Sequence, residues 1–162
     1  RGDLLLTVLE EFLALEPSIP VFLYSVTEDL LNSVNELVAK FPNVKFSEQR
    51  NKLSHNELLM IFRSSRIYIG LSRSDGISTS FLEALTTGTY PIQSDTSCAQ
   101  EWVAKGVIAS IVPLKKEEIL REITESYFNL DKLSLAQIKN SKVSDEFLDY
   151  DQIAEVGRTF YS

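Results

Sequence analysis

Apolar residues along this chain alternate between helical spacing and short consecutive runs, and the changes of spacing divide it into elements. Leu5, Val8, Leu9, Phe12 and Leu13 recur at helical spacing while Glu10 and Glu11 fall elsewhere, which predicts an amphipathic helix ended near Glu16-Pro17. The run Val21-Phe22-Leu23-Tyr24 predicts a strand. Thr27, followed by Glu28 and Asp29, predicts the start of a second helix with Leu30, Leu31, Val34, Leu37 and Val38 facing inward. Pro42 precedes a second strand at Val44-Lys45-Phe46. Ser54 and Glu57 have capping-box spacing ahead of Leu58, Leu59, Ile61 and Phe62, the apolar face of a third helix.

Ile67-Tyr68-Ile69 reads as a compact strand of the kind buried between two helical layers. A polar loop, Ser72 to Ser80, leads to a helix carrying Phe81, Leu82, Ala84 and Leu85, stopped by Gly88. Tyr90-Pro91-Ile92 begins another strand with proline at its entrance, Ser97 to Lys105 reads as helix, and Val107 to Val112 as a final apolar run. Lys115 to Phe128 is a strongly periodic helix. The polar, acidic tail beyond it has room for two more, with Phe147, Tyr150, Ile153, Ala154 and Phe160 forming an interrupted apolar stripe.

About five strand-helix alternations with short connections predict an α/β fold, a Rossmann-like parallel sheet with helices on both faces. Such sheets take ligands at the carboxyl ends of their strands, which singles out Tyr24 to Thr27, Ser47 to Leu53, Ser72 to Ser80 and Ser94 to Cys98. A length of 162 residues suits one core. We therefore expect one domain over residues 1–128 with a helical extension of it over 129–162. The first helix is already under way at Gly2 and residue 1 is not methionine, so the natural chain is expected to extend upstream.

Charge removes several function classes. The chain carries 23 acids against 16 bases, net −7, with no basic run dense enough to track a phosphate backbone, so no nucleic-acid partner is expected. No segment approaches the roughly 20 apolar residues of a transmembrane helix. The lone Cys98 forms no internal disulfide, and the lone His55 is distant from it in sequence, which argues against a Cys-His pair. Neither a Gly-x-Gly-x-x-Gly fingerprint nor a Gly-x-x-x-x-Gly-Lys-Ser/Thr loop is present. Asp75, Asp95 and Glu101 are too loosely spaced for a dedicated metal site, and none is expected.

The candidate chemistry lies in Ser72-Arg73-Ser74-Asp75-Gly76-Ile77-Ser78-Thr79-Ser80 and in Glu83 beyond it. Free backbone N–H groups at a helix start receive an anionic phosphate, and a glycine lets it approach closely. The plainer reading is a turn at Asp75-Gly76 and a helix cap at Ser78 or Ser80. Among Phe81, Leu82, Ala84 and Leu85, a carboxylate at Glu83 needs strong partners, which two ligand hydroxyls or a neighbouring side chain would provide. Arg73 suits a diphosphate or open solvent equally.

From Ile67 to Val112 the chain resembles the donor-binding core of the retaining glycosyltransferases of the GT-B, two-Rossmann-domain type. That family places Glu-Gly-Phe-Gly, then Glu-Ala, a glycine, Pro-Val and a later Glu after a strand. This chain has Leu71-Ser72, Asp75-Gly76-Ile77-Ser78, Phe81-Leu82-Glu83-Ala84-Leu85, Gly88, Tyr90-Pro91-Ile92, Ser94-Asp95 and Glu101. Arg1-Gly2-Asp3-Leu4-Leu5 resembles the family's Lys-Gly plus helix, so the likeness covers roughly residues 1–128.

The resemblance implies retaining transfer of a hexose from a nucleoside diphosphate sugar, with no cofactor, to a glycan or lipid-linked acceptor held by an N-terminal domain outside this sequence. It implies a role in polysaccharide biosynthesis and a cytoplasmic location, with any peripheral membrane association made through the whole protein. Asp75 would stand near the transferred sugar as the catalytic residue, orienting its hydroxyls or favouring positive charge that develops there, and Glu83 would hold the ribose hydroxyls. Backbone around Gly76, Ile77, Ser78, Thr79 and Ser80 would meet the diphosphate, with Arg73 and Arg1 neutralising it and Leu53 near the base. Three positions depart from the pattern. Asp75 replaces a glutamate, Ser78 replaces the second motif glycine, and Tyr24-Ser25-Val26 replaces a glycine-rich turn. They leave open a catalytically degenerate binding or scaffold domain. A two-domain sugar-nucleotide epimerase has little support from a single histidine.

Overall fold

The computed structural model describes residues 2–73, 76, 78–96 and 98–149. Helix α1, Gly2–Leu15, buries Val8, Leu9, Phe12 and Leu13, the spacing expected of its apolar stripe. Strand β1, Val21–Val26, follows Pro20 and runs two residues past the apolar run. A single 3-10 turn, Glu28–Leu30, then leads into α2, Leu31–Lys40. Thr27 opens this turn, its carbonyl accepting from Leu30 N–H at 3.0 Å, but its side chain makes no capping bond. Strand β2 is Val44–Glu48, and α3, His55–Ser64, starts on the expected capping box of Ser54 and Glu57.

The second half repeats the alternation with β3, Ile67–Gly70, α4, Thr79–Thr87, β4, Tyr90–Ser94, and α5, Ala99–Ala104. Gly88 ends α4 in the left-handed conformation, φ 80°, as its position predicts. Strand β5 is shorter than the apolar run suggested, Ser110–Val112, and α6 spans Lys116–Phe128. One helix, α7, Leu130–Phe147, occupies the described part of the tail.

Every strand pairing is parallel, in the order β1-β2 and β3-β4-β5. Buried Pro91 lies inside β4, the middle strand of three. Tyr90 N–H donates to Arg66 O on the β3 side, so the next amide position faces β5, which begins only opposite Ile92. The missing N–H therefore forfeits no ladder bond.

One core joins α1, β1, β2, α2 and α6 with Ile92 and Val112, and a second joins Phe62, Tyr68, Phe81, Leu85 and Trp102 on the opposite face. Each large apolar side chain so buried is worth about 1.5–3 kcal/mol. Helix α7 packs along α4 and is pinned by Asn140, whose side chain accepts from Ile108 N–H at 2.7 Å and donates to Ile108 O at 2.9 Å. No described helix is long and apolar enough to cross a membrane.

Candidate functional site

The four loops at the carboxyl ends of the strands are tied to one another in pairs. Gln49 N–H donates to Val26 O at 2.9 Å, and Ser25 N–H to Ser47 Oγ at 3.3 Å, joining the ends of β1 and β2. Across the other sheet, Ser94 Oγ donates to Ser72 O at 2.8 Å, and Thr96 Oγ1 donates to the same carbonyl. Cys98 N–H reaches Gly76 O at 3.3 Å. Ser72 and Gly76 are thus tied to residues that follow β4.

Ser25 has φ 58°, the one non-glycine residue with positive φ among those described, and it sits at a break in the β1-β2 register. That left-handed conformation is what a glycine adopts readily and an L-residue adopts at a cost. The backbone path at this point is therefore one that glycine favours, although the sequence holds serine.

Ser78 accepts a hydrogen bond from Phe81 N–H at 3.3 Å and is the N-cap of α4. Leu82 N–H donates to Ser78 O. Of the four amides at this helix start that have no internal partner, Ser78 to Phe81, the cap occupies that of Phe81, and those of Thr79 and Ser80 are directed out of the helix start. Partial positive charge from the helix dipole accumulates at the same place. Thr79 is exposed and Ser78 and Ser80 are half-buried, at the rim of a cleft of about 1430 Å³ that also touches Ser25, Thr27 and Ser72.

Glu83 lies one turn inside α4, to one side of that rim, with its side chain 20% exposed. Its carboxylate stands 3.4 Å from His55 Nδ1, at the first position of α3. The partner that the sequence left open is thus, in this state, an imidazole. Beneath it, Tyr24 reaches from β1 to hydrogen-bond Ser80 of α4 and Tyr68 of β3. Burial pushes the Tyr24 hydroxyl pKa up, the bonds to Ser80 and Tyr68 oppose that, and the Glu83 charge adds to the rise, so the phenol stays protonated. Phe62 packs edge-on against both rings, at 6.0 Å from Tyr24 and 5.5 Å from Tyr68.

Tyr68 and His55 were not among the expected site residues, and Tyr24 was expected only as the first residue of a strand-end loop. Tyr24 closes an apolar run and His55 follows a capping serine, so each has a local reason for its place that hides its neighbours across the fold. Gln93 was also missed. It is fully buried in β4, donates to Ser72 Oγ at 3.4 Å, and leaves Oε1 without a partner among the described residues. The carboxamide passes over Gly70, where a side chain would collide with it and with the Tyr68 hydroxyl. A long polar side chain directly after the apolar Tyr90-Pro91-Ile92 was the available signal.

Of the other expected residues, Arg73 and Gly76 are exposed and Leu53 is half-buried at the end of the loop after β2. Arg1, Asp75, Ile77 and the stripe from Tyr150 to Phe160 lie outside the described residues. No three His, Cys, Asp or Glu side chains among those described gather in a metal-binding arrangement.

The same arrangement of strands and helices occurs in solved structures. Alr3699/HepE of Anabaena in complex with UDP matches with a TM-score of 0.71 at 17% identity, over 94% of this chain and 44% of that one. Its complex with UDP-glucose matches with a TM-score of 0.72 at 16% identity, over 94% of this chain and 44% of that one. Sucrose-phosphate synthase from Thermosynechococcus elongatus matches with a TM-score of 0.74 at 14% identity, over 96% of this chain and 42% of that one. This chain therefore spans less than half the length of these proteins. No family model and no curated protein sequence matches it. The fold is that of the C-terminal half of a GT-B type glycosyltransferase.

Proposed function

We propose that this chain is the donor-binding half of a glycosyltransferase, and that it holds a nucleoside diphosphate hexose over the carboxyl ends of its strands. The observation that carries this reading is the start of α4. Two outward amides, at Thr79 and Ser80, stand one helical turn from an inward acid, Glu83, within a GT-B type fold. That spacing suits a diphosphate and its ribose together. Uridine is the first nucleoside to try, since the similar Anabaena protein was solved with UDP and with UDP-glucose.

In the proposed reaction the bond between the anomeric carbon and the diphosphate oxygen breaks, and its electron pair leaves with the nucleoside diphosphate. The hydroxyl of a glycan or lipid-linked acceptor bonds to the same face of the sugar and passes its proton to the leaving diphosphate oxygen. Charge grows on the leaving oxygen, so donors fixed in advance at the α4 start lower the barrier. The backbone of Gly76 and Ile77, Ser78 beside the cap, and the guanidinium groups of Arg73 and Arg1 are assigned to the same diphosphate. Asp75 is assigned to the hexose hydroxyls and Leu53 to the base. Glu83 exchanges its contact with His55 for the ribose diol when donor binds. The acceptor belongs to the other domain, so residues 1–162 alone bind donor without turning it over.

Calorimetric titration of the intact protein tests this. UDP and UDP-glucose should bind, and Glu83→Gln should weaken UDP about 10-fold or more while leaving inorganic diphosphate nearly unchanged, the loss expected for a charged hydrogen bond. Equal losses for both ligands would remove the ribose assignment. Binding without product formation would favour a degenerate binding domain, the reading that Asp75 and Ser78 in place of the motif residues keep in view.

A further inference from the structure

Gln93 lies in β4 with 1% of its surface exposed, and packing alone does not account for it. Its Nε2 donates to Ser72 Oγ at 3.4 Å, while Oε1 is buried without a partner among the described residues. A buried acceptor left unpaired costs about 1–3 kcal/mol, and an apolar side chain of similar size would fill the place without that cost. A group of this kind calls for a reason outside the packing of the sheet.

That reason lies at the amide end of the side chain. Gly70, the last residue of β3, pairs with Gln93, and Ser72 follows two residues later, half-buried on the lining of the cleft that holds the α4 start. The Ser72 carbonyl takes the hydroxyls of Ser94, at 2.8 Å, and Thr96, and its own hydroxyl oxygen takes the amide hydrogen of Gln93. Three bonds from β4 and the loop after it therefore fix this serine. A serine hydroxyl has one proton to give. With Gln93 donating to the oxygen, that proton is turned away from the carboxamide, and it goes to no described residue.

The polar groups that continue from this pair are uncharged. Tyr68 Oη and Gln93 Oε1 both crowd the space above Gly70, and the Tyr68 hydroxyl is linked through Tyr24 to Ser80 at the α4 start. Hydroxyls and a carboxamide suit a neutral group whose own hydroxyls both give and take hydrogen bonds. They suit a phosphate less, because its oxygens only accept and a carboxamide oxygen repels them.

We propose that Ser72 recognises the hexose of the donor, its hydroxyl donating to a sugar hydroxyl, and that Gln93 is the positioning residue that keeps the Ser72 proton turned into the cleft. This role rests on the chain being a donor-binding half. Glu83 lies on the α3 side of the α4 start, against His55, and Ser72 lies on the β4 side, against Ser94 and Thr96. A donor with its ribose at Glu83 and its diphosphate at Thr79 and Ser80 carries its hexose towards Ser72.

Calorimetric titration of the intact protein with UDP and with UDP-glucose tests the pair. Ser72→Ala should weaken UDP-glucose about 3- to 10-fold, the loss of one neutral hydrogen bond, and leave UDP within about 2-fold of the parent. Gln93→Leu, which also removes the unpaired acceptor, should produce the same selective loss. The double variant should lose no more than Ser72→Ala alone, since Gln93 acts through Ser72. Because Ser72 is only half-buried, Ser72→Ala decides the sugar contact even where the interior variant is unstable. Losses shared equally by UDP and UDP-glucose, no loss for either, or additive losses in the double variant overturn the proposal and leave the donor site standing. A parent protein that binds neither ligand removes the donor site itself, and the role of Ser72 with it.

Discussion

At the scale of single residues, two departures from the motif acquire structural roles. Ser78, which stands where a glycine is expected, caps α4, and serine and glycine are both good residues at a helix N-cap. Ser78→Ala should cost about 1 kcal/mol in urea unfolding, whereas Ser78→Gly should cost only a few tenths; equal costs would deny the side chain its capping role. Ser25 holds a left-handed conformation worth about 1–2 kcal/mol to an L-residue, partly offset in glycine by about 0.5–1 kcal/mol of chain entropy. Ser25→Gly should accordingly raise stability by about 0.5–1 kcal/mol, and a loss of stability would contradict the strained backbone. In the proposed donor complex, His55 is the contact that Glu83 gives up. His55→Ala should then leave UDP affinity within a few-fold of the parent in calorimetry, while a collapse of binding would mean that the imidazole holds ligand itself.

Among the elements, α4 is the one on which the site depends, and it is fixed at both ends. Its start is capped by Ser78, and its end turns at Gly88, where φ is 80° and a side chain would press on Gln137 of α7 at 2.9 Å. Gly88→Ala should therefore cost more than the ~1–2 kcal/mol of left-handed strain alone, read as a lowered Tm, and α7 should loosen with it. Thr89 Oγ1 adds a tie to Phe62 O at 2.5 Å, linking the residue after α4 to the end of α3. Since α3 carries His55 and α4 carries Glu83, the spacing of these two helices sets the distance between imidazole and carboxylate.

For the molecule as a whole, the end of the sheet opposite the candidate site carries a half-buried ion pair. Lys132 Nζ of α7 stands 2.8 Å from Glu122 Oε1 of α6, and Ser110 and Ser126 donate to the same oxygen at 2.5 Å and 2.6 Å. Burial pushes the Glu122 pKa up, but the bonds from Lys132, Ser110 and Ser126 outweigh it and hold the pKa below its ordinary value of 4.5. Burial pushes Lys132 down, and the bond to Glu122 outweighs that and holds it above 10.5. A lowered acid stabilises the fold fully above its unfolded pKa and loses that contribution as pH falls through the folded one. A raised base contributes fully below its unfolded pKa and loses its share as pH rises through the folded one. Stability should therefore be level between these limits and fall on acidification below about 4.5. Glu122→Gln should flatten the acid limb in thermal unfolding, and an unchanged limb would place the titrating group elsewhere.

Most elements were legible because their causes are local. The capping box at Ser54 and Glu57, the stop at Gly88 and the stripes of α1 and α6 are set by residues within a turn or two of each other. The short apolar runs likewise marked all five strands, and their alternation with helices fixed the parallel class. What failed locally failed for reasons outside the segment. Thr27 opens the turn before α2 without a side-chain cap, and Val107 to Ala109 are apolar but pair with no described strand, Ile108 being held by Asn140 instead.

The sequence by itself thus determined which segments are helix or strand, and that a serine-capped helix start follows the third strand, since caps, turns and periodicity act over a few residues. Only the tertiary structure decided that Glu83 meets His55, that Tyr24 spans to Ser80 and Tyr68, and that the strands divide between β1 and β3. Those depend on which faces come together when apolar surface is buried, a choice made by the whole chain at once.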